Sequence, residues 1–194
     1  MFWPNYLRKK KGLLQLKRKN EWIVWNPYHS KLSAYLLGKG KYWPFKKNSK
    51  ILYLGAAEGN TLSYLSEICK EETIAAVEIS AVAMAELLNL VEKKKNIIPY
   101  LGDAHFPGKY ENQANKPDII YQDIAQNDQV DIFIRNCKFF NPKQAFLMLK
   151  TQSISNKKKK ILEDTENLLK EIFKTVESIN INKWAKGHSA YYME

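Results

Sequence analysis

The chain has 194 residues, of which 45% are hydrophobic and 26% charged, and it carries a formal net charge of +11 from 31 Lys and Arg against 20 Asp and Glu. This length fits one domain with at most a small appendage, and no stretch reaches the ~18 apolar residues that a membrane helix needs. The two widely spaced cysteines, Cys69 and Cys137, predict neither a zinc site nor a disulfide framework. The positive charge favours polyanionic partners, since Lys and Arg that meet phosphates release condensed counterions.

Residues 1–25 are predicted to form a short appendage, with a possible β-hairpin made of residues 13–16 and 22–25. Residues 1–20 contain seven basic side chains and no acidic one. The rings of Phe2, Trp3 and Tyr6 in the same segment are suited to stacking on RNA bases. A second basic cluster, residues 157–160, precedes a predicted helix. The alternative interpretation of both clusters is a solvated, lysine-rich surface.

The rest of the chain, residues 26–194, alternates short apolar runs with amphipathic stretches and is predicted to form one domain. The predicted strands are Ile51–Leu54, Ile74–Glu78, Ile97–Leu101, 118–123, 145–150, 179–183 and 188–192. The predicted helices are 30–37, 61–69, 81–94, 128–139 and 158–176. This alternation predicts a Rossmann-like α/β fold with a seven-stranded, mostly parallel sheet and an antiparallel last strand.

A loop rich in small residues joins the first strand of this domain to the next helix. It begins with Gly55 and Ala56 and ends with Gly59, Asn60 and Thr61. Small residues let the backbone turn sharply and come close to a ligand. The loop lacks the Gly-x-Gly-x-x-Gly pattern of dinucleotide sites, and Glu58 would repel a pyrophosphate.

Three carboxylates follow successive predicted strands: Glu78, Asp103 and Asp123. Because ligands of open α/β sheets bind outside the carboxyl ends of the strands, these side chains are predicted to face one crevice. They suit a ligand with ribose hydroxyls, an adenine amine and a cationic sulfonium better than one with an anionic pyrophosphate. The sequence therefore favours S-adenosylmethionine over a nicotinamide dinucleotide, whose oxidoreductases are a distant alternative.

Several strings within residues 22–130 resemble, in the same order, the fibrillarin family of RNA 2′-O-methyltransferases, and its archaeal members most of all. The matching strings are Trp-Asn-Pro-Tyr-His-Ser-Lys-Leu at 25–32, Tyr-Leu-Gly-Ala-Ala at 53–57 with Gly59 and Thr61, Val-Glu at 77–78, Asn-Ile-Ile-Pro at 96–99, Gly-Asp-Ala at 102–104, and Asp-Ile-Ala-Gln at 123–126 with Asp128 and Gln129. Over residues 131–194 the resemblance is mainly positional.

This resemblance implies that residues 26–194 form an S-adenosylmethionine-dependent methyltransferase domain with the class I fold, and it implies a set of site residues. The implied contacts to S-adenosylmethionine are Gly55, Ala56, Asn60, Thr61, Glu78, Ile79, Asp103, Ala104, Asp123, Ile124, Ala125 and Gln126. The implied catalytic set is Lys31, Asp123, Lys150 and His188. An ammonium group can stabilise the oxyanion that develops on a ribose hydroxyl, and methyl transfer of this kind needs no metal. His29 and His105 are interpreted as structural or surface residues.

The chain departs from the family pattern at five places. Glu58 stands where a small residue is usual, Asn60 where a second Thr is usual, and His29 where Arg is usual. The region before Lys150 has Asn-Pro at 141–142 in place of paired glycines. The N-terminal part is also shorter than the β-rich domain of archaeal relatives.

The resemblance implies RNA-guided methylation of rRNA or tRNA within a box C/D ribonucleoprotein. A Nop-domain scaffold protein would hold the chain, and a kink-turn-binding protein would anchor the guide RNA. The sequence contains no RRM or KH signature, so base pairing would supply specificity. The alternatives are a stand-alone methyltransferase with another acceptor and a non-catalytic subunit. The expected location is the cytoplasm of an archaeal-type cell, without membrane association.

Overall fold

A computed structural model describes residues 3–151 and 158–194, which form two β-sheets and the helices that cover them. The strands are β1 Leu7–Lys10, β2 Leu13–Arg18, β3 Glu21–Trp25, β4 Ile51–Leu54, β5 Ile74–Glu78, β6 Ile97–Leu101, β7 Ile119–Gln122, β8 Gln144–Lys150, β9 Val176–Asn180 and β10 His188–Met193. The helices are α1 Lys31–Leu37, α2 Asn60–Ile68, α3 Ala81–Val91, α4 Glu111–Ala114, α5 Gln129–Phe140 and α6 Lys158–Lys170, with a 3₁₀ turn at Pro107–Lys109.

The larger sheet has seven strands in the order β6-β5-β4-β7-β8-β10-β9. The first five strands are parallel, whereas β10 runs antiparallel to both β8 and β9. This arrangement confirms the predicted fold class. The strand order reverses between β4 and β7, so the crevice outside their carboxyl ends is where a ligand of such a sheet is expected.

Strands β4 and β7 are buried along their whole length because both faces of the sheet are covered. Alternate residues of β4 therefore enter two different apolar clusters. Ile51 and Tyr53 belong to the cluster that includes α1, α2 and the small sheet. Leu52 and Leu54 belong to the cluster on the side of α5 and α6. The layers hold the strand ends, and thus the crevice, in fixed positions.

The N-terminal segment forms a three-stranded antiparallel sheet, β1-β2-β3, where the sequence predicted a two-stranded hairpin. The additional strand, β1, pairs with β2 in the register Leu7 to Leu16. It was missed because Leu7 is followed by three basic residues and gives almost no alternation of apolar and polar positions. The inner face of this sheet is part of the same apolar cluster as α1, and the ring of Trp25 stacks on Tyr64 of α2 with centroids 4.6 Å apart.

Three other predicted boundaries are wrong. Helix α6 ends at Lys170 instead of reaching residue 176, because Thr175 already pairs with Glu194, directly before strand β9. Strand β9 therefore covers Val176–Asn180, not 179–183, with Ile179 opposite Ala190. Helix α3 ends at Val91 rather than at residue 94. The 3₁₀ turn and α4 were not predicted, since their seven residues are too few to show a helical period.

Two features of the sequence analysis, Phe2 and Lys157, lie outside the described residues. Within the two described segments, no helix has the length and apolar character that crossing a membrane requires. The division into an appendage over 1–25 and a domain over 26–194 remains an interpretation, since the small sheet shares its apolar core with α1 and α2.

Candidate active site

Two adjoining cavities lie at the carboxyl ends of the central strands. The first, of about 260 Å³, lies between the ends of β4, β5, β6 and β7. The second, of about 440 Å³, lies among the start of α1, the loop after β4, and the ends of β8 and β10. Both cavities are lined by Gly55, Ala57, Asp123 and Ala125. A ligand in the first cavity therefore reaches the second across the loop after β4 and the end of β7.

The loop after β4 is shaped by two glycines with left-handed backbone conformations. Gly55 has φ +75°, and a Cβ atom there would lie only 2.6 Å from the carbonyl oxygen of Asp123. Gly59, with φ +88°, precedes the first residue of α2. The close backbone approach at Gly55 brings β4 and the β7 end together and leaves room for a ligand beside them.

Glu78, the last residue of β5, is buried with its carboxylate turned to the first cavity. Its Oε2 accepts a hydrogen bond from the Ala57 backbone N–H at 2.8 Å, and its Oε1 accepts one from the Ser80 N–H at 2.8 Å. Each carboxylate oxygen has a further acceptor site, so Glu78 can still bind two ligand hydroxyls. The two backbone bonds fix the direction in which those acceptors point.

Asp103 follows β6 and has a partner that the sequence analysis did not assign. Its Oδ1 lies 2.6 Å from His105 Nδ1 and 2.9 Å from the His105 backbone nitrogen. The other imidazole nitrogen, Nε2, lies 2.7 Å from Oδ2 of Asp128. His105 thus links the loop after β6 to the residue that precedes α5. Asp128 follows His105 by 23 positions in the sequence, and only the fold shows that the two are in contact.

The second cavity contains an ion pair between Lys31 and Asp123. The Lys31 ammonium, on the first residue of α1, lies 2.8 Å from Asp123 Oδ2, and both side chains are partly buried. Ser30, which precedes α1, shares a 2.9 Å hydrogen bond with Thr61 of α2. The start of α1 is therefore fixed against the start of α2, which places Lys31 beside the carboxylate.

Lys150 and His188 enter the second cavity from neighbouring strands. They are paired residues of β8 and β10. His188 Nδ1 lies 2.9 Å from the carbonyl oxygen of Lys186, which assigns the proton to Nδ1 and leaves Nε2 as an acceptor. Burial lowers the pKa of His188, and the nearby charges of Lys31 and Lys150 lower it further. The imidazole is therefore neutral at pH 7.

Gln129 is a buried residue that holds the end of β8 in place, and the sequence analysis gave it no structural role. Its Oε1 accepts from the Lys150 N–H at 2.8 Å, and its Nε2 donates to the Lys150 carbonyl at 3.1 Å and to the Gln126 carbonyl at 2.7 Å. Gln122 of β7 donates to the Gln129 carbonyl at 2.6 Å. A glutamine at a helix start gives no sequence signal of such a role.

The structure places every predicted site residue at one of the two cavities. The first is lined by Gly55, Glu78, Ile79, Asp103, Ala104, Asp123, Ile124, Ala125 and Gln126. The second is lined by Lys31, Gly55, Ala56, Asn60, Thr61, Asp123, Ala125, Lys150 and His188. Their individual roles stay predictions. Asn60 donates to Glu58 at 2.6 Å at the rim of the second cavity.

No cluster of three or more His, Cys, Asp or Glu side chains arranged to hold a metal ion occurs in the described part of the chain. The ligands available at the two cavities are instead carboxylates at strand ends, backbone groups of small residues, and ammonium groups. This set matches an uncharged ribose and adenine joined to a cationic centre.

The sequence is similar to proteins of a single family along most of its length. The sequence model of the family described as fibrillarin matches residues 9–194. The chain is 39% identical over 182 residues to the fibrillarin-like rRNA/tRNA 2′-O-methyltransferase of Picrophilus torridus, covering 92% of this chain and 85% of the relative. It is also 39% identical to the protein of the same name from Methanocaldococcus jannaschii, over 87% of this chain and 75% of the relative.

The fold is also similar to solved structures of proteins from the same family. A fibrillarin from a fibrillarin/Nop5p complex superposes with a TM-score of 0.90 at 33% identity, covering 97% of this chain and 96% of that one. The fibrillarin of Aeropyrum pernix, determined with natively bound S-adenosyl-L-methionine, gives a TM-score of 0.80 at 30% identity, covering 96% and 84%.

Proposed function

Because the chain belongs to the fibrillarin family, we propose that it is an S-adenosylmethionine-dependent methyltransferase that modifies ribose 2′-hydroxyls of rRNA or tRNA. The observation that carries this proposal is the Lys31–Asp123 ion pair at the junction of the two cavities. A non-catalytic subunit would not require a partly buried ammonium group at the junction of the two cavities. Lys150 and His188 complete the group of residues that the chemistry requires.

The first cavity fits the adenosine part of S-adenosylmethionine. Glu78 offers oriented acceptors for the two ribose hydroxyls, and the free oxygen of Asp103 offers one for the adenine amine. Ile79 and Ile124 supply apolar surface for the flat base. When bound, S-adenosylmethionine supplies a methyl group on a positively charged sulfonium, which the carboxylate of Asp123 favours electrostatically.

The residues of the second cavity account for activation of the acceptor. A ribose hydroxyl loses its proton as its oxygen attacks, and the Lys31 ammonium stabilises the negative charge that develops there. Asp123 holds that ammonium in place at 2.8 Å, which is a positioning contribution. Neutral His188 keeps Nε2 as an acceptor and can take up a proton near pH 7.

We propose that the chain works within a box C/D ribonucleoprotein. The fibrillarin/Nop5p complex among its structural relatives supports a Nop-domain partner. A guide RNA, with a kink-turn-binding protein, would select the target nucleotide by base pairing. This division of labour agrees with a chain whose sequence has no RRM or KH signature. We also propose that it acts in the cytoplasm.

The experiment that tests the proposed function is reconstitution of the ribonucleoprotein. The full chain is assembled with a Nop-domain protein, a kink-turn-binding protein, a box C/D guide and a complementary RNA, and labelled S-adenosylmethionine is added. We expect one 2′-O-methyl group, at the guided nucleotide only. A methyl group elsewhere on RNA, or transfer without the guide, would favour a stand-alone methyltransferase. No transfer by an assembled complex that binds cofactor would favour a non-catalytic subunit.

The exposed face of α3 is proposed as the docking surface for the Nop-domain partner. Val82 and Leu88 of this helix are 76% and 45% exposed, and Leu101 at the end of β6 is 54% exposed. Exposed apolar side chains on α3 and on the end of β6, which contacts that helix, indicate a protein–protein contact. By contrast, the ring of Tyr64 on α2 packs on Trp25 and is not available as an anchor for a partner.

The substitutions Val82→Asp and Leu88→Asp test this surface together. We expect binding to the Nop-domain protein, measured by calorimetry, to weaken at least about 100-fold, because two apolar anchors are lost and two charges are desolvated. Cofactor binding by the isolated chain serves as the control for folding. An unchanged affinity for the partner would place the docking surface elsewhere.

The outer face of the small sheet is proposed as an RNA contact. Arg8 and Lys10 of β1, Lys17 of β2 and Trp22 of β3 lie on the face opposite the buried Leu14, Leu16 and Trp25. The Arg8 guanidinium lies 4.0 Å from the centroid of the Trp22 ring. Cations around an aromatic ring bind single-stranded RNA through its phosphates and bases.

The double substitution Lys10→Glu with Lys17→Glu is expected to weaken RNA binding by the assembled complex about tenfold or more and to reduce its salt dependence. Lys138→Glu with Lys174→Glu is the matched control, since it changes the net charge equally at exposed sites on other elements. Equal losses in both pairs would show that only net charge matters and would remove the sheet face as an RNA contact.

A further inference from the structure

We propose that His105 is a positioning residue for the cofactor, an imidazolium that joins the two loops forming opposite walls of the adenosine cavity. The proposal rests on the proposed cofactor site, and it adds a residue and a pH dependence that the catalytic set does not include. Asp103 belongs to the loop after β6, and Asp128 closes the loop between β7 and α5. His105 contacts both carboxylates at hydrogen-bond distance.

The arrangement requires two donors on one imidazole. Nδ1 lies 2.6 Å from an oxygen of Asp103, and Nε2 lies 2.7 Å from an oxygen of Asp128. A carboxylate only accepts hydrogen bonds, and a neutral imidazole has a single N–H. The neutral ring can therefore satisfy one of the two contacts, while its lone pair faces the other carboxylate. Only the protonated ring satisfies both.

The charges around His105 favour the protonated ring. Its hydrogen bonds to Asp128 and then to Asp103 raise its pKa, and partial burial acts in the opposite direction. The pKa of the Asp103 carboxyl is lowered mainly by the hydrogen bond from the backbone N–H of His105. The pKa of the Asp128 carboxyl is lowered mainly by the hydrogen bond from the His105 side chain. The other charged groups close by are Lys109, which acts on Asp103, and Arg135 of α5, which donates to the His105 carbonyl at 3.2 Å.

The link acts on the ligand through Asp103. Oδ1 of Asp103 accepts two bonds from His105, one from the ring and one from the backbone, so Oδ2 is left for the adenine amine. Fixing Oδ1 sets the rotation of the carboxylate and thus the direction of Oδ2. Residues 123–126 form the opposite wall of the cavity, and Asp128 follows them in the chain. The bond between His105 and Asp128 therefore holds this wall at a fixed distance from Asp103.

The sign of the pH dependence follows from the raised pKa of His105. Both bonds are present below the ordinary histidine pKa of 6.5, and one is lost as the pH rises through the raised value. Adenosine affinity should therefore be highest on the acid side of this transition. His188 has a lowered pKa and lines the second cavity, so its titration is separate.

The test measures binding of 5′-methylthioadenosine to the full chain by calorimetry between pH 5.5 and 9. This probe has the adenosine part of the cofactor and no amino group that titrates in this range. We expect wild-type affinity to fall about tenfold across a transition above pH 6.5, as the loss of one charge-assisted hydrogen bond predicts. His105→Asn should bind at the wild type's high-pH level throughout.

Asp128→Asn separates positioning from mere folding. Removal of that carboxylate should lower the transition by about one pH unit, because an opposite charge within hydrogen-bond distance raises the pKa of His105. Asp131→Asn is the matched control, an exposed carboxylate in the first turn of the same helix, and it should leave the transition in place.

A wild-type affinity that does not change with pH would overturn the proposal, as would persistence of the transition in His105→Asn or equal shifts in the two aspartate variants. A folded wild-type chain that binds no adenosine probe at any pH would instead overturn the proposed cofactor site itself, and this inference with it.

Discussion

Asp123→Ala is expected to reduce the rate of methyl transfer about 100- to 1,000-fold, a loss comparable to removing one group that stabilises transition-state charge. Asp123 lines both cavities and is the 2.8 Å partner of Lys31. Its removal leaves a partly buried ammonium without its counter-charge and frees it from the position that the attack requires. The measurement is the single-turnover rate of the reconstituted ribonucleoprotein with saturating cofactor.

Lys31→Ala provides the companion measurement. It should lower the rate to a similar degree with little change in cofactor affinity. Lys31 lines the second cavity and not the first, where the adenosine part of the cofactor is proposed to bind. Since the two residues act as one pair, the double variant should be little slower than either single variant. Losses that multiply in the double variant would mean that Lys31 and Asp123 act independently, contrary to the proposed mechanism.

Glu78→Gln is expected to weaken binding of S-adenosylmethionine about 10- to 100-fold, since hydrogen bonds to a charged group contribute roughly 1.5–3 kcal/mol. The glutamine keeps the size of the side chain and one acceptor oxygen but loses the charge and the second acceptor. The two backbone N–H groups of Ala57 and Ser80 then compete with the ribose for one oxygen. Calorimetry of the isolated chain measures the effect.

Glu111→Gln is the control for this substitution, because Glu111 is an exposed carboxylate at the start of α4, away from the residues that line the cavities. It should bind the cofactor with wild-type affinity. Thermal unfolding of both variants separates a loss of binding from a loss of fold. A folded Glu78→Gln chain with unchanged affinity would remove Glu78 from the cofactor site.

The parallel strands of the large sheet were predictable because their residues are apolar on both faces. Ile51–Leu54, Ile74–Glu78 and Ile97–Leu101 have the predicted bounds. The grouping of the carboxylates that end or follow these strands was also predictable, because parallel strands bring their carboxyl ends to one edge of the sheet. The fold class therefore followed from the pattern of apolar runs.

The elements that depend on pairing between distant residues were less predictable. Strand β1 has a single buried leucine, and only its pairing with β2 makes it a strand. The starting point of β9 depends on the bond between Thr175 and Glu194 at the end of the chain. A helical pattern in the sequence cannot show where such a contact interrupts it.

The supporting contacts of the site were not predictable from residue types. His105 looks like a surface residue in the sequence, and Gln129 looks like an ordinary helical residue. Their roles come from the fold, which brings Asp128 to His105 and the backbone of Lys150 to Gln129. Carboxylates and lysines at strand ends point to chemistry by themselves, whereas residues that position them do so only through geometry.

The acceptor atom is the central claim of this account, and one substitution in the RNA tests it most directly. The reconstituted ribonucleoprotein is supplied with labelled S-adenosylmethionine and with two target RNAs that differ only in having ribose or 2′-deoxyribose at the guided nucleotide. We expect labelling of the ribose target and none of the deoxyribose target, with equal pairing of both to the guide. Equal labelling of the two would contradict it, because the methyl group would then lie on the base.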